Sequence, residues 1–211
     1  MINVEINGKE YKFPNSWDDI TMKQYCKLFH NLPESDSKAS DELKAVNTIR
    51  NEAMIISRLL GENDGFVEKL PIPVFTYLQH EAKFIYDIDG FLESKIFYLN
   101  IDGKKYFMPE PSEMSLRQYI DSDMIMADDK NQDQFIELLS CLLLPYDKNG
   151  KAEYDGRYED LIPKIEKMKA SDGLPFIYTF FKKKELSRML SEASSKAEEE
   201  AGSLLQRIQG S

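Results

Sequence analysis

The sequence predicts a mainly helical α+β protein of two pseudo-repeats, each a β-hairpin followed by three or four helices, with an extended C-terminal helix. The main observation is that the segment from Ile6 to Tyr25 recurs from Ile101 to Tyr119. The copies lie 95 residues apart up to a shared proline and 94 apart beyond it. A second observation is that 42% of the 211 residues are hydrophobic, which is enough for a sizeable core.

Each copy opens with a predicted β-hairpin. Asn7-Gly8 lies between alternating apolar residues, and Asp102-Gly103 occupies the same place in the second copy. Both dipeptides favour the type I′ turn, which needs positive φ at both central residues. Because a two-stranded hairpin is marginally stable by itself, we expect the two hairpins to pair into one four-stranded sheet.

A capped helix follows each hairpin. Thr21 and Ser115 stand at the N-cap position, where a hydroxyl accepts a hydrogen bond from the first turn. Gln24 and Gln118 lie three residues later, so the pattern predicts a capping box in both copies. Trp17 precedes the first of these helices, and we expect it to pack the hairpin onto that helix.

The resemblance between the copies continues more faintly towards their ends. Second helices are predicted over residues 47–60 and 132–144, each with a Ser among apolar residues near its end. A Glu-Lys-apolar element follows in each copy. An apolar helix comes last, and it is predicted to start at Pro73 in the first copy and at Pro175 in the second.

These patterns divide the chain into a first repeat (1–92), a second repeat (93–186) and a C-terminal helical tail (187–211). The sequence leaves open whether the two repeats pack as one body. Apolar residues at the start of the tail form a narrow helical stripe, which suits docking to a partner. The residues predicted to bind a partner are Leu186, Met189, Leu190 and Leu204. The alternative is a terminal helix that lies back on its own domain.

Charge and composition exclude several classes of partner. The net charge is −10 and the isoelectric point is about 4.8, so the surface repels phosphate and no nucleic-acid partner is expected. Cys26 and Cys141 each lie in an apolar run, which is typical of reduced core residues in a cytosolic chain. No signal-peptide pattern opens the sequence, and apolar stretches such as 135–144 are too short to span a bilayer. We therefore expect no membrane partner.

The sequence also predicts no metal site and no cofactor. The acidic loop that begins at Asp147 has Ala152 and Tyr158 where an EF-hand needs Gly and Glu. The His80-Glu81 pair would need a second His four residues on, where Phe84 stands. Nucleotide-binding glycine loops and nucleophile elbows do not occur in the sequence.

Paired carboxylates are the remaining candidates for catalysis. They occur at Asp18-Asp19 and in the run from Asp121 to Asp123. The first pair is better placed to stabilise the helix N-terminus that follows it. The prediction is therefore that the protein is not an enzyme, with a carboxylate-based hydrolase as the alternative.

Three stretches resemble a known group of proteins. Residues 12–25 resemble the opening of tailed-bacteriophage proteins that read Pro, a few residues, then Trp-Asp-x-Ile-Thr-x-x-Gln-Tyr. Residues 115–121 and the block from Leu174-Pro175 to Phe181 are similar to the same group. It includes proteins resembling T4-type baseplate-hub assembly proteins and tail assembly chaperones. The resemblance spans most of residues 10–181 and supplies no catalytic residues.

The resemblance implies a non-enzymatic morphogenesis protein that binds phage tail, baseplate or other virion proteins during assembly. Such a chaperone-like protein would act in the cytoplasm of the bacterial host. The alternative is a permanent virion component, such as a ring, a connector or a packaged protein, and a ring would be a homo-oligomer. A further alternative is an acidic inhibitor of a host protein, which would require carboxylates clustered on one face, whereas the charge here is dispersed along the chain.

Overall fold

The computed structural model describes residues 1–33, 39–88, 98–128, 130–147, 150–151 and 153–185. This part of the chain is mainly helical and carries two small antiparallel sheets, so the predicted α+β class is confirmed. The predicted boundary between residues 92 and 93 lies outside the described residues. So do the tail, 187–211, and the four residues predicted to bind a partner: Leu186, Met189, Leu190 and Leu204.

The first half, residues 1–88, contains two strands and three α-helices in its described part. Their bounds are Ile2–Ile6 for β1, Lys9–Phe13 for β2, Met22–Phe29 for α1, Asp41–Leu59 for α2 and Ile72–Glu81 for α3. Short 3-10 helices cover Trp17–Asp19, Val67–Lys69 and Ala82–Tyr86.

The second half, residues 98–185, begins with the same order of elements. Their bounds are Leu99–Ile101 for β3, Lys104–Phe107 for β4, Leu116–Ala127 for α4 and Gln134–Leu142 for α5. Strands β5 (Leu144–Asp147) and β6 (Gly150–Lys151) then precede helices α6 (Ile162–Lys167) and α7 (170–185). Short 3-10 helices cover Pro111–Glu113 and Tyr158–Leu161.

Both predicted hairpins are confirmed, including the chemistry of their turns. Asn7 and Gly8 have φ of 52° and 77°, and Asp102 and Gly103 have φ of 50° and 75°. These values are the positive φ pairs that a type I′ turn requires. The same turn residues therefore build the same local structure twice.

The expected pairing of the two hairpins with each other is wrong. Strands β1 and β2 form a sheet of their own, whereas β3, β4, β5 and β6 are neighbours in that order in a second sheet. The free edge of β4 is taken by β5, with Tyr106 opposite Pro145 and Phe107 opposite Leu144. Because β5 follows α5 directly and α5 packs on α4, the packing of these two helices places β5 at this edge.

Several predicted helix ends also differ from the structure. Helix α2 begins before residue 47, because Ser40 caps it and accepts a hydrogen bond from the Leu43 N–H at 3.4 Å. Helix α5 ends before Leu144, where β5 begins. Pro175 lies inside α7 rather than at its start, since the first turn of α7 is already formed ahead of it.

The capping box forms in only one of the two copies. Thr21 and Gln24 exchange both hydrogen bonds of the box at the start of α1. At the start of α4, Ser115 accepts from the Gln118 N–H at 3.1 Å, but the Gln118 side chain points inwards. There its amide donates to the Cys141 carbonyl at 2.9 Å. The predicted second box is wrong because burial gives this side chain a stronger need for a partner in the core.

The backbone repeats in detail around the helix starts, at an offset of 94 residues. The 3-10 turn before α1 is closed by the Asp19 N–H donating to Ser16 at 3.1 Å, and its counterpart is Glu113 donating to Glu110 at 2.8 Å. The residue after each turn is extended, with ψ of 148° at Ile20 and 141° at Met114. The entrances to α1 and α4 thus have one shared geometry.

A second set of backbone bonds repeats at an offset of 98 residues, around the entrances to α3 and α7. Leu70 donates to Val67 at 3.0 Å, and Met168 donates to Ile165 at 3.0 Å. The next carbonyls, of Pro71 and Lys169, each accept from the N–H groups three and four residues on. The two halves therefore match in local backbone geometry as well as in sequence.

One hydrophobic core joins the two halves. It includes Phe13, Ile20 and Met22 from the first half, and Ile165 and Leu174 from the second. A smaller cluster around Ile125, Leu138, Cys141, Leu142 and Phe180 lies within the second half. Within the described ranges, no helix combines the length and apolar character that crossing a bilayer demands.

Candidate interaction surfaces

The two halves are joined where the start of α1 meets the segment between α6 and α7. The Met22 N–H donates to the Met168 carbonyl at 2.8 Å, and the Ala170 N–H donates to the Ile20 carbonyl at 2.9 Å. Thr21 and Lys169 form the antiparallel bridge between these two bonds. The contact gives one of the orphan N–H groups at the start of each helix a backbone partner.

The Met22 side chain fills the space between α1 and α7 at this junction. It is fully buried, and a Cβ built on Gly173 would lie 2.7 Å from the Met22 Sδ and 3.2 Å from a methyl group of Leu139. Helix α7 therefore needs glycine at residue 173, because any side chain there would displace Met22. The start of α1 fills a groove in the second half with the close packing typical of a protein interior.

Lys23 adds an ionic contact at the edge of the same groove. Its Nζ lies 2.7 Å from Asp133 Oδ2 and 2.8 Å from Glu166 Oε1. The hydrogen bond to Asp133, followed by that to Glu166, raises the pKa of Lys23 above its ordinary value. The lysine therefore stays charged and holds α1 to both α5 and α6.

Helix α4 carries an exposed apolar surface, here called the α4 face, formed by Leu116, Tyr119, Ile120 and Met124. Three of these residues are spaced four apart, so their side chains line one side of the helix. The opposite side of α4 is buried and includes Gln118 and Ser122. A contiguous apolar patch of this kind marks an interaction site more often than an isolated exposed side chain does.

A second apolar surface lies between α2 and α3 and is here called the first-half groove. It has a volume of about 270 Å³. Its apolar lining consists of Val46, Ile49, Ala53, Val67, Leu70, Ile72 and Phe75. Arg50 and Glu68 stand at its rim, with their charged atoms 3.7 Å apart. The groove therefore offers an apolar floor and one charge of each sign to an occupant.

A larger cleft of about 500 Å³ borders the end of α1, and two of its charged residues, Arg58 and Asp64, are engaged in holding the fold together. Arg58 donates from two nitrogens to the Asp64 carboxylate, at 2.7 and 2.8 Å. Another of its nitrogens donates to the carbonyls of Lys27, Leu28 and His30, at 2.7 to 3.0 Å. Arg58 thus satisfies the last carbonyls of α1 and has little capacity left for a ligand.

The best candidate for a reactive cluster in the described chain joins α4, α5 and the segment after β6. The Tyr154 hydroxyl donates to Asp121 at 2.7 Å and lies 3.5 Å from the Cys141 sulfur. Burial raises the pKa of the Cys141 thiol to about 11, and it also raises the pKa of Tyr154. Burial raises the pKa of Cys26 to about 12. Both thiols are therefore protonated at neutral pH and are poor nucleophiles.

The carboxylates considered as catalytic pairs are held apart by separate partners. Asp18 accepts a hydrogen bond from the Ser171 hydroxyl at 2.6 Å, whereas Asp19 binds the N-terminal amine at 2.6 Å. On α4, Asp121 accepts from Tyr154, and Asp123 pairs with Lys184 at 2.5 Å. None of these contacts brings two carboxylates to one point. Among the described residues, no three His, Cys, Asp or Glu side chains are grouped as metal ligands.

Sequence reasoning placed the partner-binding residues in the tail and missed both surfaces on the folded halves. The α4 face could have been found, because Leu116, Ile120 and Met124 recur every four residues in a helix with a recognisable N-cap. The first-half groove has no such signal, because α2, α3 and the turn at Val67–Lys69 form it jointly.

Comparisons with known proteins add no relationship. No protein-family model matches the chain, and no curated protein or solved structure matches it at a significant level.

Proposed function

We propose that this protein is a non-enzymatic morphogenesis factor of a tailed bacteriophage. It binds tail, baseplate or other virion proteins in the cytoplasm of the bacterial host and keeps them ready for assembly. The observation that carries the proposal is the α4 face, an apolar helix surface left open on a folded, acidic protein. The sequence resemblance supplies the phage setting.

The α4 face suits a helical or extended apolar segment of a partner. Leu116 and Met124 are the outermost members of the face and lie two turns apart, which matches the anchor spacing of helix-in-groove recognition. Arg117 and Asp123 flank the face and supply charges of both signs. A partner segment would therefore dock by apolar burial and would be oriented by charge.

A tagged chain recovered from infected cells tests the proposal. We expect a tail or baseplate protein to co-purify, and we expect Leu116→Asp together with Met124→Asp to abolish its recovery. The matched control is Tyr77→Asp together with Tyr86→Asp, which adds the same two charges at exposed aromatic residues outside both surfaces. Recovery that is unchanged in the α4 variant would show that the α4 face is not the binding surface.

The same experiment tests the tail. Truncation after Lys184 removes Leu186, Met189, Leu190 and Leu204, which the sequence predicts to contact a partner. Loss of the co-purifying protein from this truncated chain would assign binding to the tail. Retention would leave the folded halves as the binding surface.

The second candidate is a permanent virion component. It is favoured by the presence of an apolar ridge, the α4 face, and an apolar groove on different halves of one chain. Mass spectrometry of purified virions separates the two candidates. A copy number per virion that is a multiple of a ring symmetry supports the permanent component. Absence of the protein from virions, together with its abundance in infected cells, supports the assembly factor.

A further inference from the structure

The contact that joins the two halves has a counterpart that the described chain does not form. In the contact that does form, here called the used contact, the start of α1 fills the groove beside α6 and α7. The element that corresponds to α1 is α4, at an offset of 94 residues. The place that corresponds to the entrance of α7 is the entrance of α3, at an offset of 98 residues. These corresponding elements carry the α4 face and the first-half groove.

The backbone groups that would make the counterpart contact are in position. The bond from the Met22 N–H to Met168 corresponds to one from the Leu116 N–H to the Leu70 carbonyl. The bond from Ala170 to Ile20 corresponds to one from the Ile72 N–H to Met114. Within the described residues neither bond forms, although Leu70 and Met114 have the extended ψ of 154° and 141° that their counterparts show.

Side-chain exposure supports the same correspondence. Met22 and Ala170 are both fully buried in the used contact. Their counterparts, Leu116 and Ile72, are 76% and 78% exposed, which makes them the most exposed large apolar side chains of the described residues. Two apolar residues are thus left open at the places where the other half buries its own.

The shape of the groove differs in a matching way. Phe75 stands where Gly173 lies in the second half, so the first-half groove is shallower at this point. Leu116 replaces Met22 on the helix that would enter it, and a leucine side chain reaches less far than a methionine. The shorter side chain therefore suits the shallower groove.

One of the two ion pairs has residues of the same charges at its counterpart positions. Lys23 pairs with Glu166 in the used contact, and the counterparts are Arg117 and Glu68. Both counterpart side chains are exposed, and among the described residues Arg117 lies 3.9 Å from Asp121 and Glu68 lies 3.7 Å from Arg50. The other partner of Lys23 is Asp133, at the start of α5. Aligning Ser57 of α2 with Ser140 of α5, an offset of 83 residues, places Arg50 at the position of Asp133, so the second ion pair is not reproduced.

We infer that copies of this chain associate head to tail, with the α4 face of one copy in the first-half groove of the next. Since the contact uses two different surfaces, each copy keeps one surface free after a single contact. Repetition therefore closes a ring or extends a filament, according to the rotation between copies. This inference goes beyond the proposed function and stands without it.

The test uses purified full-length protein and two single variants. Sedimentation velocity and light scattering from about 1 to about 200 µM cover the affinities expected for a modest interface. We expect species at multiples of 24.5 kDa that grow with concentration. Leu116→Asp disables the α4 face and Ile49→Asp disables the groove, so each variant alone should stay a monomer. Circular dichroism confirms that each is folded.

Mixing the two variants distinguishes this arrangement from any symmetric dimer. The Leu116→Asp chain keeps its groove and the Ile49→Asp chain keeps its α4 face, so an equimolar mixture should form a heterodimer of twice 24.5 kDa and nothing larger. Tyr77→Asp, which alters neither surface, should assemble like the wild type. Formation of the heterodimer also shows that both variants retain their folded surfaces.

Charge reversal gives an independent readout of register. Arg117→Glu or Glu68→Arg alone should weaken association about threefold to tenfold, and the two together should restore it.

Several results would overturn the inference. One is a wild-type chain that stays monomeric at about 200 µM, whether or not residues 186–211 cover either surface. The others are assembly that survives Leu116→Asp or Ile49→Asp, and an equimolar mixture of the two variants that stays monomeric. Capture of a phage protein by the monomer would support the proposed function alone.

Discussion

Replacing Met22 measures how strongly the start of α1 holds the two halves together. The change Met22→Ala removes a fully buried side chain that contacts the backbone of α7 at Gly173. Because helix backbone cannot move in to fill the space, the cavity persists. We therefore expect the free energy of unfolding to fall by about 3 kcal/mol, within the range of about 2–5 kcal/mol measured for such truncations.

The matched control is Leu116→Ala, at the corresponding first position of α4. Leu116 is 76% exposed, so its truncation removes little buried surface and should change the free energy of unfolding by less than about 0.5 kcal/mol. Both changes replace an unbranched or γ-branched helix former with alanine, so helix propensity differs little between them. Any difference between the variants therefore reports on burial.

The assay is urea unfolding followed by the fluorescence of Trp17, which is buried against Tyr25 of α1. A protein concentration of about 1 µM keeps self-association out of the measurement. With an m-value of about 2.5 kcal/mol/M, Met22→Ala should lower the midpoint by about 1.2 M and Leu116→Ala by less than about 0.2 M. Equal shifts for the two variants would refute the view that α1 packs into the second half.

Three further predictions concern polar groups. Arg58→Ala should cost about 3 kcal/mol in the same assay, because the carbonyls of Lys27, Leu28 and His30 at the end of α1 lose their donor, and Arg58→Lys should fall between it and the wild type. Hydrogen bonds from Arg58 lower the pKa of Asp64 below 3.8 in the folded protein. The pair therefore contributes its full stabilisation above pH 3.8, and this contribution is lost as the pH falls through the pKa of Asp64 in the folded state. Stability measured between about pH 5 and 2 should therefore fall less steeply in Asp64→Asn than in the wild type. Gln118→Ala should cost about 2 kcal/mol because the buried Cys141 carbonyl loses its donor, whereas Gln24→Ala should cost less than about 1 kcal/mol; equal costs would contradict this reasoning.

Local sequence predicted the elements that depend on neighbouring residues. The Asn7-Gly8 and Asp102-Gly103 turns form as expected, because positive φ is decided by the two residues themselves. The N-caps at Thr21 and Ser115 also form as expected, since a hydroxyl reaches the N–H of its own first turn without help from the rest of the fold.

Longer-range features were not predictable in the same way. The sequence suggested that the two hairpins would pair, but β5 occupies the edge of β4 because the packing of α5 on α4 delivers it there. The capping box at Ser115 was lost because the amide of Gln118 is needed by a buried carbonyl. The first-half groove exists only where α2 and α3 lie side by side.

Residue types alone predict that the chain contains one supersecondary unit twice, since turns and caps are set within a few residues. The difference in exposure between the two units depends on how the whole chain packs. Met22 and Leu116 both begin a capped helix, yet the first is buried and the second is open. Burial depends on which distant surface covers a residue, and the second half covers Met22 whereas Leu116 stays 76% exposed.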